Sequence, residues 1–95
     1  YINLINKFVK VIHFTDGTIK IYNLTSQPIF ISKIVFKDKI IKVERVIEGS
    51  RINFIKNIEI LTDFTGLNDR KIKVFSKYKS FEKTSRNKYS LINFN

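Results

Sequence analysis

Basic and aromatic side chains alternate near the C-terminus, and these are the residue types that can contact a nucleic acid. Lysine and arginine can contact phosphates, whereas aromatic rings can stack on bases, at about 1 to 3 kcal/mol for each base. For Tyr78 and Phe81 a second interpretation is open, in which the two rings pin the segment to the protein's own sheet. The pattern predicts an RNA-binding segment made of Arg70, Lys71, Lys73, Lys77, Tyr78, Lys79, Phe81, Lys83, Arg86, Lys88 and Tyr89.

The distribution of charge along the chain supports a polyanionic partner. The formal net charge is +10 over 95 residues. Residues 1–69 hold ten basic and seven acidic side chains, whereas residues 70–95 hold eight basic side chains and a single acid, Glu82. A codon bias that raises lysine would act along the whole chain, so it does not explain this concentration at one end. The asymmetry favours an element that lies along phosphates.

No residue pattern in the sequence indicates catalysis or a bound cofactor. The chain has no cysteine and a single histidine, His13, which excludes thiolate chemistry, disulfides and a multi-histidine metal site. Three scattered glycines cannot form a phosphate-binding loop. No apolar run approaches the ~18 residues that span a bilayer. We therefore expect no enzyme, cofactor, metal, small-molecule substrate or membrane partner, and we interpret His13 as a partly buried structural residue.

The composition favours β-structure as the scaffold for these side chains. The chain contains 17 Ile and 9 Phe, and β-branched and aromatic residues suit pleated sheets better than helices. Two β-rich runs, Phe8 to Phe14 and Ile19 to Leu24, flank Asp16-Gly17. This dipeptide tolerates the positive φ of a tight turn and so predicts a hairpin. The formal glycosylation triplet that begins at Asn23 is of a kind that arises often by chance.

Further strands are predicted along the first two thirds of the chain. The run 29–36 places Phe30, Ile34 and Phe36 on one face, and runs 40–47 and 52–60 follow after polar turns. Residues 1–8 fit either a helix or a strand. We predict a mainly β fold, a small antiparallel meander or barrel-like sheet over residues 1–66. Residues 67–95 are predicted to form a basic C-terminal arm, extended or partly helical, that orders mainly against a partner.

Several short segments resemble the thirty-first bacterial-type large-subunit ribosomal protein family in a cysteine-free, zinc-free form. Residues 11–17, Val-Ile-His-Phe-Thr-Asp-Gly, are similar to its opening strand and turn, and residues 25–28 fall at its Ser-Thr segment. Residues 34–38 resemble the extra hairpin of the zinc-free form. Residues 64–66 match the end of its His-Pro-Phe-Tyr-Thr-Gly signature, and residues 74–78 resemble its closing Arg-Phe-x-x-Arg-Tyr stretch. The His-Pro pair before Phe64 is missing, and the segment between Gly66 and Val74 is short.

The resemblance implies a structural protein of the large ribosomal subunit, near the central protuberance. It would contact ribosomal RNA and neighbouring ribosomal proteins and reach towards the small-subunit head. Phe64, Thr65 and Gly66 would form the signature loop, and Lys77 and Tyr78 would belong to the arm. The ribosome would be that of an organelle (mitochondrion or plastid) or of the cytoplasm of an AT-rich organism. The residues alone leave an alternative open, a small phage or viral β-barrel module for protein interaction or assembly without nucleic acid.

Overall fold

A computed structural model describes residues 2–36, 39–50, 54–62, 72–78 and 90–92. Within these residues the chain forms strands and no helix, so the prediction of a mainly β fold is confirmed. Across the part of the chain that the structure describes, no helix is long and apolar enough to cross a membrane. The strands are β1 Ile2–Ile5, β2 Val9–His13, β3 Thr18–Asn23, β4 Ile29–Phe36, β5 Lys39–Ile47, β6 Lys56–Leu61, β7 Lys73–Tyr78 and β8 Ser90–Ile92.

The strands form two antiparallel sheets of four strands each. The first sheet has the order β1-β2-β3-β6 and the second has the order β5-β4-β7-β8. A simple meander would keep neighbouring strands together. Here β6 returns to pair with β3, and β7 returns to pair with β4. Residues 2–5, which fitted either a helix or a strand, form the edge strand β1.

The core lies between the two sheets, because one cluster of buried apolar side chains draws on both. Alternate residues of each strand point into it, as the two-residue period of a strand requires. The first sheet contributes Leu4, Val9, Val11, Ile19, Ile21 and Ile58, and the second contributes Ile29, Ile31, Ile34, Phe36 and Ile47, with Ile72 and Val74 from the chain around β7.

Part of the predicted C-terminal arm is built into the second sheet. Residues 73–78 form β7, between β4 and β8, and residues 90–92 form β8. Ile72, Val74 and Ser76 are buried, whereas Lys73 is exposed. Lys73 therefore occupies an outward position of this strand, between two buried neighbours.

The predicted hairpin between β2 and β3 is present. Gly17 has a φ of 95°, and the Gly17 N–H donates to the Phe14 carbonyl at 3.1 Å. The Thr18 N–H donates to the Asp16 carboxylate at 2.9 Å. The hydrogen bonds from Thr18, through its N–H and its side chain, lower the pKa of Asp16 below its ordinary value of 3.8. Their contribution to stability is therefore present above that value and is lost as the pH falls through the lowered one.

Replacing Gly17 with alanine is expected to destabilise the fold by about 1 to 2 kcal/mol, because a Cβ disfavours positive φ. The positive φ of Gly17 is the source of this cost. Asparagine tolerates this region better, and Gly17→Asn should therefore lose less. Urea unfolding of the two variants checks the order, and equal stability of Gly17→Ala and the parent would contradict it.

The second sheet fans out towards β5. Two cross-strand rows show this. Val46, Phe30 and Lys77 form the first row, and Lys42, Lys33 and Phe75 form the second. From one row to the other, β7 uses two residues, β4 uses three and β5 uses four. The extra residues form β-bulges, and Glu44 takes a positive φ of 49° in the β5 bulge. As a result, each side chain of β4 after the bulge lies on the sheet face opposite to the one that uninterrupted alternation from the first half would give.

The bulge corrects the predicted faces of β4. Ile31 and Ile34 are both buried although three residues separate them, and Phe36 follows Ile34 into the core. Phe30 was predicted to share their face. It lies instead opposite Val46 on the outer face, because uninterrupted alternation fails across the added residue.

Asn23 joins the two sheets at a polar corner. Its Nδ2 donates to the carbonyls of Gln27, Ile47 and Glu48 at 2.7, 2.9 and 3.3 Å. Its Oδ1 accepts from the N–H and the hydroxyl of Thr25 at 2.9 and 2.7 Å. The side chain at the end of β3 thereby holds the loop before β4 and the end of β5. We call residues 23–27 and 47–50 the Asn23 corner.

Gly49 completes the Asn23 corner by close backbone packing. A Cβ at Gly49 would lie 2.6 Å from the Gln27 nitrogen and closer still to the Ser26 carbonyl. The neighbouring Ser50 N–H donates to the Thr25 carbonyl at 3.1 Å. The sequence presents Gly49 as an ordinary turn residue, whereas its place in the fold is set by this backbone contact.

Candidate nucleic-acid interface

The outer face of the second sheet combines lysine and aromatic side chains across β4 and β7. Lys33 pairs with Phe75, and Val35 pairs with Lys73. The intervening pair, Ile34 and Val74, is fully buried on the opposite side. Each lysine therefore stands opposite an apolar residue, and the two lysines lie on a diagonal. We call Lys33, Val35, Lys73 and Phe75 the second-sheet quartet.

A cation already lies over the aromatic ring of this quartet. The Nζ of Lys33 is 4.9 Å from the centroid of the Phe75 ring. Such a cation–π contact contributes about 0.5 to 1 kcal/mol at an exposed site. The ring is partly exposed, and Lys73 is exposed beside it. The quartet thus presents two cations and one ring that a base could cover if Lys33 moved to a phosphate.

Lys42 extends the positive charge of this face onto β5. It pairs with Lys33 in the β4–β5 register, so two lysines occupy directly opposed positions, with the Nζ of Lys33 turned to the Phe75 ring on β7. Directly opposed like charges in a sheet are destabilising. The three cross-strand rows through β5, β4 and β7 on this face contain no carboxylate among their described residues. An anion bound above Lys33 and Lys42 would relieve their repulsion.

The predicted RNA-binding residues fall partly within the described chain. Lys73 lies on this face, and Lys77 and Tyr78 belong to the backbone of β7. Ser76 of β7 pairs with Ser90 of β8, the strand that follows β7 in the sequence. The other predicted residues lie outside the described residues, as does the signature loop. They are Arg70, Lys71, Lys79, Phe81, Lys83, Arg86, Lys88 and Tyr89 for RNA binding, and Phe64, Thr65 and Gly66 for the loop.

Lys33 and Lys42 were not among the residues predicted from the sequence for this candidate site. Both lie in the part of the chain where acids and bases nearly balance, and nothing local distinguishes them from solvated lysines. Only the pairing of β4 with β5 and β7 brings them beside Lys73. Lys33 is two residues from Val35, and Lys42 is eleven residues from Ile31. Neither separation indicates in the sequence that the two lysines share this face with Lys73.

Two other residues whose side chains could take part in chemistry, His13 and Asn23, are buried in the fold. His13 is 2% exposed at the end of β2, so its imidazole is closed to solvent. Asn23 is 1% exposed, and its amide nitrogen is engaged in the Asn23 corner. The glycosylation triplet at Asn23 is therefore inaccessible in the folded protein. Among the described residues, no group of three or more His, Asp or Glu side chains is placed to hold a metal ion.

Comparison with known proteins adds no assignment to this geometry. No family model, curated protein or solved structure matches the chain. The features of the described residues that bear on function are therefore the second-sheet quartet and its neighbour Lys42.

Proposed function

We propose that this chain is a structural RNA-binding protein that docks on single-stranded RNA through the outer face of the second sheet. The observation that carries the proposal is the direct pairing of Lys33 with Lys42, beside Phe75 and Lys73. A sheet that places like charges opposite each other loses stability unless an anion compensates them. Phosphates of a polynucleotide supply that charge at regular spacing along a surface.

The aromatic ring gives the surface a reason to prefer a single strand. Phe75 can stack with an unpaired base at about 1 to 3 kcal/mol, which exceeds the ~0.5 to 1 kcal/mol of its contact with Lys33. In the bound state Lys33 would move from the ring to a phosphate. Stacking and ion pairing would then both be made, and base identity would matter little because every base has a face to stack.

The sequence between β7 and β8 adds positive charge to the protein. It contains Lys79, Lys83, Arg86 and Lys88 and a single acid, Glu82. These cations raise the positive potential of the whole chain, which attracts a polyanion. Binding should therefore depend steeply on salt.

Within this function, we place the chain in the large ribosomal subunit, in contact with ribosomal RNA and neighbouring ribosomal proteins. The support is the resemblance of residues 11–17, 25–28, 34–38, 64–66 and 74–78 to the ribosomal protein family named above. It would make the chain part of a ribonucleoprotein that acts in translation. Isolation from the native source tests this placement, since the chain should co-sediment with large subunits and be released from them by high salt.

The Lys33→Gln, Lys73→Gln double variant tests the RNA surface. The logarithm of affinity falls with the logarithm of salt by about 0.7 for each phosphate contact on a single strand. The variant should therefore reduce this slope by about 1.4 and bind an oligouridine about 25-fold more weakly near 0.1 M salt. Phe75→Leu should instead weaken binding about tenfold at every salt concentration, because it removes stacking and leaves the charges in place. Fluorescence anisotropy across a salt series measures both effects.

Lys56→Gln provides the matched control for charge. Lys56 is exposed on β6, in the other sheet, and carries no part of the quartet. Its removal should leave affinity within about twofold of the parent. If the double variant bound as tightly as Lys56→Gln at all salt concentrations, the second sheet would not be the RNA surface.

A second candidate function, protein assembly without nucleic acid, is favoured by one apolar surface. Phe54, Ile55 and Leu61 are 77%, 51% and 82% exposed beside and within β6, which is an edge of the first sheet. Exposed apolar residues beside a strand edge suit pairing with another chain. Light scattering separates the two candidates, because a defined oligomer that survives nuclease and high salt would support assembly.

A further inference from the structure

The outer face of the first sheet repeats the arrangement found on the second. In the β2–β3 hairpin Lys10 pairs with Tyr22, and Ile12 pairs with Lys20. The central pair, Val11 and Ile21, is fully buried. We call Lys10, Ile12, Lys20 and Tyr22 the first-sheet quartet.

The two quartets correspond position by position. In each, one strand reads lysine, buried apolar residue, β-branched residue, as in Lys10-Val11-Ile12 and Lys33-Ile34-Val35. The paired strand reads lysine, buried β-branched residue, aromatic residue, as in Lys20-Ile21-Tyr22 and Lys73-Val74-Phe75. The antiparallel register then sets a lysine opposite the ring in both sheets. The same pattern of cation and ring is therefore built twice from unrelated parts of the chain.

Cations also cover the rings of the first sheet. The Nζ of Lys10 is 5.9 Å from the centroid of the Tyr22 ring, and the Nζ of Lys20 is 5.7 Å from that of Phe14. Both rings are partly exposed. This face thus offers two rings and two lysines, the combination assigned to RNA on the second sheet.

We propose that the outer face of the first sheet is a second surface for single-stranded RNA, so that one chain holds two RNA segments at once. The inference rests on the proposed function of the second sheet. The occupant is a polynucleotide because the two lysines lie on one diagonal and the Tyr22 ring lies opposite Lys10, which places phosphate contacts beside a stacked base. An apolar protein partner would leave Lys10 in the middle of the contact, and a buried cation is unfavourable unless it is paired.

The two surfaces must take separate segments. The quartets lie on opposite sides of one core, and facing sheets pack about 10 Å apart before the outward side chains are added. A short strand lying on one face therefore does not reach the other. The first-sheet surface should also be the weaker, because Glu59 pairs with Lys20 there, whereas Lys42 pairs with Lys33 on the second sheet.

The experiment uses the full chain and an oligouridine of about eight nucleotides, a length typical of a single surface. Half of the oligonucleotide molecules carry a donor dye, and the other half carry an acceptor dye. The parent should bind two copies per chain, the second at least about fivefold more weakly, and should give energy transfer between dyes. Analytical ultracentrifugation at the same concentrations should show one protein chain in the doubly loaded complex.

Matched double variants assign each copy to a face. Lys10→Gln with Lys20→Gln should abolish energy transfer and leave one copy bound with the affinity of the tighter site. Lys33→Gln with Lys73→Gln should weaken the tighter site and leave the weaker one. Circular dichroism with thermal unfolding shows whether each variant keeps the parent's fold, and Tyr22→Leu provides a milder change that removes only the ring.

The outcomes separate this inference from the proposed function. One outcome is that the parent binds a single copy and that the Lys10→Gln, Lys20→Gln variant binds like the parent. This outcome overturns the RNA surface on the first sheet and leaves the proposed function of the second sheet intact. If the first-sheet variant alone lost all binding, the RNA surface would lie on the first sheet and the proposed function would be misplaced. Energy transfer that appears only in complexes of two protein chains would also overturn the inference.

Discussion

Asn23→Asp is expected to lose at least about 3 kcal/mol of unfolding free energy, although it changes one side-chain nitrogen to oxygen. The Nδ2 that is replaced donates to three carbonyls, those of Gln27, Ile47 and Glu48. A carboxylate would face these oxygens without a proton to share. Each buried acceptor left unsatisfied costs about 1 to 3 kcal/mol, and a buried charge costs more.

The pH dependence of this variant identifies the cause. Burial and the facing carbonyls would raise the pKa of the introduced carboxyl above its unfolded value, because the neutral form can still donate one hydrogen bond. The variant should therefore regain stability as the pH falls through the raised pKa and lose it as the pH rises. Urea unfolding at several pH values measures this trend.

Asn57→Asp is the matched control, since Asn57 is exposed on β6 and undergoes the same chemical change. Its unfolding free energy should stay within about 0.5 kcal/mol of the parent. Equal losses in the two variants would mean that the Asn23 corner contributes nothing specific.

Gly49→Ala is expected to destabilise the protein by about 2 to 3 kcal/mol, the upper part of the usual range of about 1 to 3 kcal/mol for added carbon atoms at a tightly packed site. The added Cβ would meet the Ser26 carbonyl and lie 2.6 Å from the Gln27 nitrogen. These are backbone atoms, so a change of rotamer cannot relieve the contact. If the backbone at Gly49 moved away from Ser26 and Gln27, the hydrogen bond from the Ser50 N–H to the Thr25 carbonyl would also be stretched. Thermal and urea unfolding report the loss.

Glu48→Ala is the control for this variant, because its side chain is exposed and only its carbonyl belongs to the Asn23 corner. It should change stability by less than about 0.5 kcal/mol. Gly49 is outside the positive-φ region, unlike Gly17. A Gly49→Ala variant as stable as the parent would show that the loop yields freely.

The sequence predicted the features of this fold that are local. The β2–β3 hairpin depends on Asp16 and Gly17, which lie between the two strands that they join. The mainly β character follows from the residue types themselves. Both can be recognised from sequence because the responsible residues are neighbours in the chain.

Features that depend on long-range pairing were not predictable in this way. β7 pairs with β4, about forty residues earlier in the chain, and no local pattern specifies that partner. The fifth predicted strand was expected over residues 52–60 with Phe54 and Ile58 on one face, whereas β6 begins at Lys56, buries Ile58 and leaves Phe54 exposed. Lys73 was predicted to bind RNA because its neighbours are basic. Lys33 and Lys42 were not included in that prediction, because they lie beside Lys73 only through the pairing of the sheet.

The extra residue in β4 has a consequence for how this chain should be compared with others. The strand contains two phases of alternation, one ending at Ile31 and the other beginning with Lys33, and they are out of step by one position. A related sequence could conserve both halves and still align with a single-residue gap between them. Without that gap, the alignment would match buried positions of one protein to exposed positions of the other. The relationship between the two sequences would then not be detected.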